Sequence, residues 1–158
     1  MKNLVFRRQF AMLSRDMQKP DYFNIMRLSK FKREVRLYTH DDLETTAAEN
    51  DHTQLILLGY VLDPFNPERT NQEILDNLLS LGTFSAITEG TSSLSGRFAI
   101  VYNTYETLNV FHDATGFREV YYCDNECEIA CGSTPNILRQ CLTLERNDEQ
   151  TVNDFFNS

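Results

Sequence analysis

The sequence predicts an α+β fold dominated by antiparallel strand pairs. Three observations carry this: short alternating apolar runs joined by polar turns, an almost wholly apolar run at 53–62, and helical segments opened by cap residues at Thr70 and Thr134. At 158 residues the chain is one domain's worth, long enough to bury a sizeable core.

Residues 4–13 (LVFRRQFAML) fit a strand or a short helix, with no decisive period, and Lys19-Pro20-Asp21 is a turn. Arg33–Thr39 alternates Val35 and Leu37 with charged neighbours, as a half-buried strand does, and His40-Asp41-Asp42 closes it. Leu43–Ala48 is a weaker strand, ended by the polar turn Glu49–His52. Thr53–Leu62 (TQLILLGYVL) is a central strand covered on both faces, and Asp63-Pro64-Phe65-Asn66-Pro67 breaks the chain after it. Thr70-Asn71-Gln72-Glu73 is a capping box. Ile74, Leu75, Leu78 and Leu79 follow at helical spacing and Gly82 lies just past the end, so Thr70–Leu81 is a helix with one apolar face. A short second helix is expected within Thr83–Ser95. Strands follow at 97–102 and 107–112, then a hairpin of Glu119–Cys123 and Cys127–Cys131 turning at Asp124-Asn125-Glu126. Thr134 caps a last helix that has Pro135 at its first position.

Composition narrows the function classes. No apolar run approaches the roughly 18 residues of a membrane span. The opening MKNLVFRRQFAML has basic residues among its apolar ones, unlike a secretory signal, so the expected location is cytoplasmic. The net charge of −8 divides into +7 over residues 1–40 and −15 over 41–158. A basic arm can meet an anionic partner, or fold back on its own acidic remainder or onto a neighbouring domain. Its modest clusters, Arg7-Arg8 and Lys30–Arg36, do not make a nucleic-acid footprint.

His112, Asp113, Cys127 and Cys131 crowd one stretch and could form a metal site, a catalytic site or neither. The spacing of Cys123, Cys127, Cys131 and Cys141 fits no zinc pattern, so four reduced, inert thiols and no metal are expected. A relocated chemistry using Cys123, Cys127 or His112 would need a nearby base. His40 and His52 lie in predicted turns, where an exposed histidine is the default.

The stretch LSGRFAIVYNTYETLNVFHDATGFREVYYCDNECEIACGSTPNIL resembles the end of the class II glutamine amidotransferase domain of asparagine synthetases. Leu94, Gly96, Phe98 and Ala99 match an L-x-G-x-F-A motif. His112-Asp113, Gly116 and Tyr121-Tyr122 match R-D-x-x-G-x-x-P-L-Y-Y, and Ser133 matches the serine of F-A-S-E. Upstream, Thr70–Glu73 stands at the family's S-D-x-E helix start and Leu58-Gly59 at its Asn-Gly pair; the match runs colinearly over residues 53–142.

The resemblance implies a four-layer αββα sandwich of stacked antiparallel sheets, the N-terminal-nucleophile (Ntn) hydrolase fold. It implies an amidotransferase-like domain over 1–144, with the acidic 145–158 opening a linker to a C-terminal synthetase domain in cis. It also implies a lost activity. The family's nucleophile is a cysteine after the initiator methionine, where this chain has Lys2. Leu58 replaces the oxyanion-hole asparagine, Asn71 replaces the acid that holds the substrate ammonium, and the carboxylate-binding R-G-P segment is absent. No catalytic residue is therefore expected; Gly59, Asn71 and Leu58 mark a vestigial glutamine pocket, with Gly59 and Asn71 adjacent in a cleft unsuited to a free amino acid. No cofactor is expected here, since ATP and magnesium would belong to the synthetase domain. The chain reads as the scaffold or interface part of an ATP-dependent amide ligase, a homodimer being left open. The alternative is an independent module that recruits an anionic partner through its basic arm. Neither reading involves nucleic acid or membrane.

Overall fold

Nine strands and three helices are arranged around two antiparallel sheets in the computed structural model, which describes residues 7–17, 19–125 and 128–142. The strands are β1 (Phe10–Leu13), β2 (Phe23–Arg27), β3 (Arg36–His40), β4 (Thr45–Glu49), β5 (Thr53–Leu62), β6 (Ser95–Thr104), β7 (Leu108–His112), β8 (Tyr121–Asn125) and β9 (Glu128–Gly132). The helices are α1 (Asn71–Ser80), α2 (Phe84–Gly90) and α3 (Pro135–Leu142). One sheet has the order β2-β3-β1-β9-β8 and the other β4-β5-β6-β7, with every pairing antiparallel.

Alternation along β5 ties the layers together. Ile56 and Leu58 pack with Phe10, Met12 and Leu37 of the other sheet, forming one core between the sheets. Leu55, Leu57 and Val61 face the opposite way, onto Ile74, Leu75 and Leu78 of α1 and Ile87 of α2. On β1, Ala11 and Leu13 turn outward onto Ile137 and Leu138 of α3. Being covered on both faces is what lets TQLILLGYVL be apolar almost throughout.

The capping box at Thr70 is complete. Glu73 N–H donates to the Thr70 hydroxyl at 3.3 Å, and Thr70 N–H donates to Glu73 Oε2 at 2.8 Å. Thr70→Ala is expected to cost about 1 kcal/mol, read as a lower urea midpoint with an unchanged slope. An unshifted midpoint would show that the cap contributes nothing. At α3, Ile137 N–H reaches the Thr134 hydroxyl at 3.3 Å, so the second cap also forms.

The glycine and serine that end β9 hold three elements together. Ser133 N–H donates to the Phe10 carbonyl at 3.0 Å, and its hydroxyl accepts from Phe10 N–H at 2.9 Å. A Cβ at Gly132 would stand 3.0 Å from Ile137 Cγ2 and from the Phe10 carbonyl oxygen, tighter than an ordinary contact, so α3 sits close against this glycine.

Several elements differ from the sequence reading. Residues 23–27 form a strand that the sequence did not suggest; of residues 4–13, 4–6 lie outside the described residues, 7–9 are not strand, and the strand begins at Phe10. The third strand begins at Arg36, later than Arg33, and runs on to His40. His40 is not an exposed turn histidine: it is 5% exposed, meets Phe23 edge to face, and accepts Asp42 N–H on Nδ1 at 3.0 Å. Strand pairing continues to Asn125 opposite Glu128, so Asp124 and Asn125 belong to β8 and not to a turn, while Glu126 lies outside the described residues.

Candidate functional site

A cleft of about 440 Å³ opens where the approach to β1 meets the end of β5 and the start of β6. Among the described residues its walls carry four arginines: Arg7 and Arg8 before β1, Arg97 on β6, and Arg118 on the loop after β7. Asp42 and Glu44, from the β3–β4 connection, are the carboxylates among them, with Gly59 and Tyr60 completing the β5 side.

Asp113 builds the loop that delivers Arg118. Its carboxylate accepts from the Thr115 hydroxyl at 2.6 Å, Arg118 N–H at 2.9 Å and Phe117 N–H at 3.0 Å. Burial pushes this carboxyl up, but those hydrogen bonds outweigh it and hold the group at about 2. Asp113 is thus a loop-organising residue with its acceptor capacity already engaged.

Arg118 is 6% exposed. One guanidinium nitrogen, Nη1, donates to the Arg8 carbonyl at 3.0 Å, while the buried Nε has no hydrogen-bond partner. Burial lowers the affinity of Arg118 for its proton, and the neighbouring charge of Arg97 adds to that. The guanidinium nevertheless stays charged at neutral pH. Arg8 takes a left-handed backbone conformation (φ 57°), an arrangement a non-glycine residue holds only when its surroundings require it. Arg7 Nε pairs with Asp42 at 2.7 Å. Arg97 is exposed and has no ion-pair partner among the described residues.

The structure brings Gly59 and Asn71 together and sends Leu58 elsewhere. Asn71 Nδ2 lies 3.4 Å from the Gly59 carbonyl, and its Oδ1 accepts Val61 N–H at 3.0 Å. Gly59 N–H is already committed, donating to the Glu44 carbonyl at 2.8 Å. Leu58 lies in the core between the sheets, fully buried, and does not face the cleft. Glu44, which the sequence did not single out, places a carboxylate oxygen 2.6 Å from Asn71 Nδ2, so an acidic group stands beside Asn71. Lys2 lies outside the described residues.

The crowded stretch does not converge on one site. Cys131 faces the core between the sheets, whereas Cys123 packs on the α3 side of the same sheet. Burial pushes the Cys131 thiol up to about 12, which leaves it protonated and a poor nucleophile. His112 sits at the end of β7 in the other sheet, its Nδ1 2.8 Å from the Asp113 carbonyl oxygen. Cys127 and the side chain of Cys141 lie outside the described residues. Among the described residues no three His, Cys, Asp or Glu side chains gather as metal ligands would, and no helix is long and apolar enough to cross a membrane.

No protein-family model matches the chain. No curated protein matches it either.

Proposed function

We propose that this chain is a glutamine amidotransferase-like domain that has lost hydrolysis. It serves as the non-catalytic scaffold or interface domain of an asparagine synthetase-related, ATP-dependent amide ligase. Two antiparallel sheets sharing one core, with helices outside both, are what the Ntn-hydrolase αββα sandwich would require. The adjacency of Gly59 and Asn71 is also what the resemblance calls for.

The observation that carries the loss of chemistry is the fate of the oxyanion donors. Gly59 N–H is bonded to Glu44, and the neighbouring side chain is a leucine buried in the core. Removing even one such donor slows acyl transfer by about 10²–10³-fold. The sequence also holds no cysteine before Cys123. Incubation with glutamine is expected to release ammonia only at the uncatalysed rate. Release that depends on a cysteine would overturn the reading. The assignment to a ligase is tested separately, by whether the encoding gene carries an S-G-G-x-D-S pyrophosphate loop downstream.

A further inference from the structure

We propose that the arginine-lined cleft is a binding site for a phosphate group, free or as a monoester. Among the described residues four arginines and two carboxylates line it, an excess of two positive charges that matches a phosphate dianion better than a single carboxylate. The carboxylates do not neutralise the arginines evenly. Asp42 is paired with Arg7, and Glu44 is held by the neutral amide of Asn71, while Arg97 projects into the cleft without an ion-pair partner among the described residues.

Arg118 supplies the second, independent observation. It is a buried cation with an unpartnered Nε, and the neighbouring carboxylate of Asp113 is already engaged by hydrogen bonds from its own loop. Nη2 lies beside Gly59, 3.2 Å from where a Cβ would stand, so the lack of a side chain at Gly59 leaves the guanidinium facing the cleft. An anion seated between Arg97 and Arg118 would relieve the repulsion of two cations held close in a partly desolvated place. The cleft exceeds the volume of one phosphate, and Tyr60, half exposed on its wall, offers aromatic surface for the body of an ester. The site follows from charge and burial, so it does not depend on the amidotransferase reading.

Calorimetry and thermal denaturation with inorganic phosphate, phenyl phosphate, glutamate and chloride, at matched ionic strength, test this. Saturable phosphate binding and a raised Tm beyond the chloride control are expected. Tighter binding of phenyl phosphate would assign the source to esters, and equal binding to free phosphate; both sustain the site. Arg97→Gln, at an exposed position, is expected to weaken phosphate by about tenfold or more while leaving the ligand-free Tm near that of the parent. Arg118→Met, checked for fold by circular dichroism, is expected to abolish the phosphate-induced shift. Phosphate acting no differently from chloride, glutamate binding more tightly than phosphate, or an undiminished affinity in Arg97→Gln would overturn the proposal.

Discussion

Gly59→Ala is expected to lose about 3–5 kcal/mol of folding stability, adding backbone strain to overpacking. Gly59 holds φ at +110°, a conformation that side chains rarely adopt, and a Cβ there would overlap the Arg97 carbonyl oxygen. That oxygen belongs to the neighbouring strand β6, so relief would require β5 and β6 to separate beside the cleft. With native domains stable by about 5–15 kcal/mol, the loss would leave a visibly unfolded population in mild denaturant. Urea titration followed by circular dichroism measures it. A variant within 1 kcal/mol of the parent would show that the ladder yields at this point.

Asp113→Ala is expected to cost about 2–3 kcal/mol, because the N–H groups of Phe117 and Arg118 lose their acceptor, the latter in a buried place. Asp113 is 3% exposed, so little solvent can replace the carboxylate. Asp113→Asn keeps one acceptor oxygen and should lose less. The same group sets an acid limit. Its carboxyl is held at about 2, below its ordinary 3.8, so the charged form is favoured by folding. Its contribution, about 2 kcal/mol, is therefore present above about pH 4 and disappears as the pH falls toward 2. The stability of Asp113→Asn should change less than the parent's over that interval. Parallel acid curves for the two proteins would show that the carboxylate is not what the loop depends on.

Elements that announce themselves in the sequence are those whose own residues determine them. The run 53–62 becomes β5 with the expected bounds, and the capping box becomes the start of α1, because double-sided burial and a local cap each leave a direct mark. By contrast, β2 (FNIMR) buries only Phe23 and leaves Ile25 half exposed. It is a strand because β3 offers it a ladder, which no local pattern records. The adjacency of Gly59 and Asn71 was legible through the family resemblance. The arginine cluster was not. Arg8 and Arg118 stand 110 positions apart, and a lone arginine in a turn gives no sign that its guanidinium will be buried. Glu44 was missed for a similar reason, since only the β4–β5 pairing carries it to Asn71.

The pairing of β1 with β9 has a consequence during synthesis on the ribosome. Residues 45–112 contain all of β4-β5-β6-β7 together with α1 and α2, a contiguous stretch that can condense as soon as it emerges. The other sheet cannot do the same: β1 precedes every other described strand, yet its partner across Ala11–Gly132 follows all of them. Until then β1 can pair with β3 on one side while its other edge, FAML, stays open with an apolar face uncovered. Nascent chains halted before Glu128 would keep that edge bare, and they are the species most prone to stick to one another or to need a chaperone.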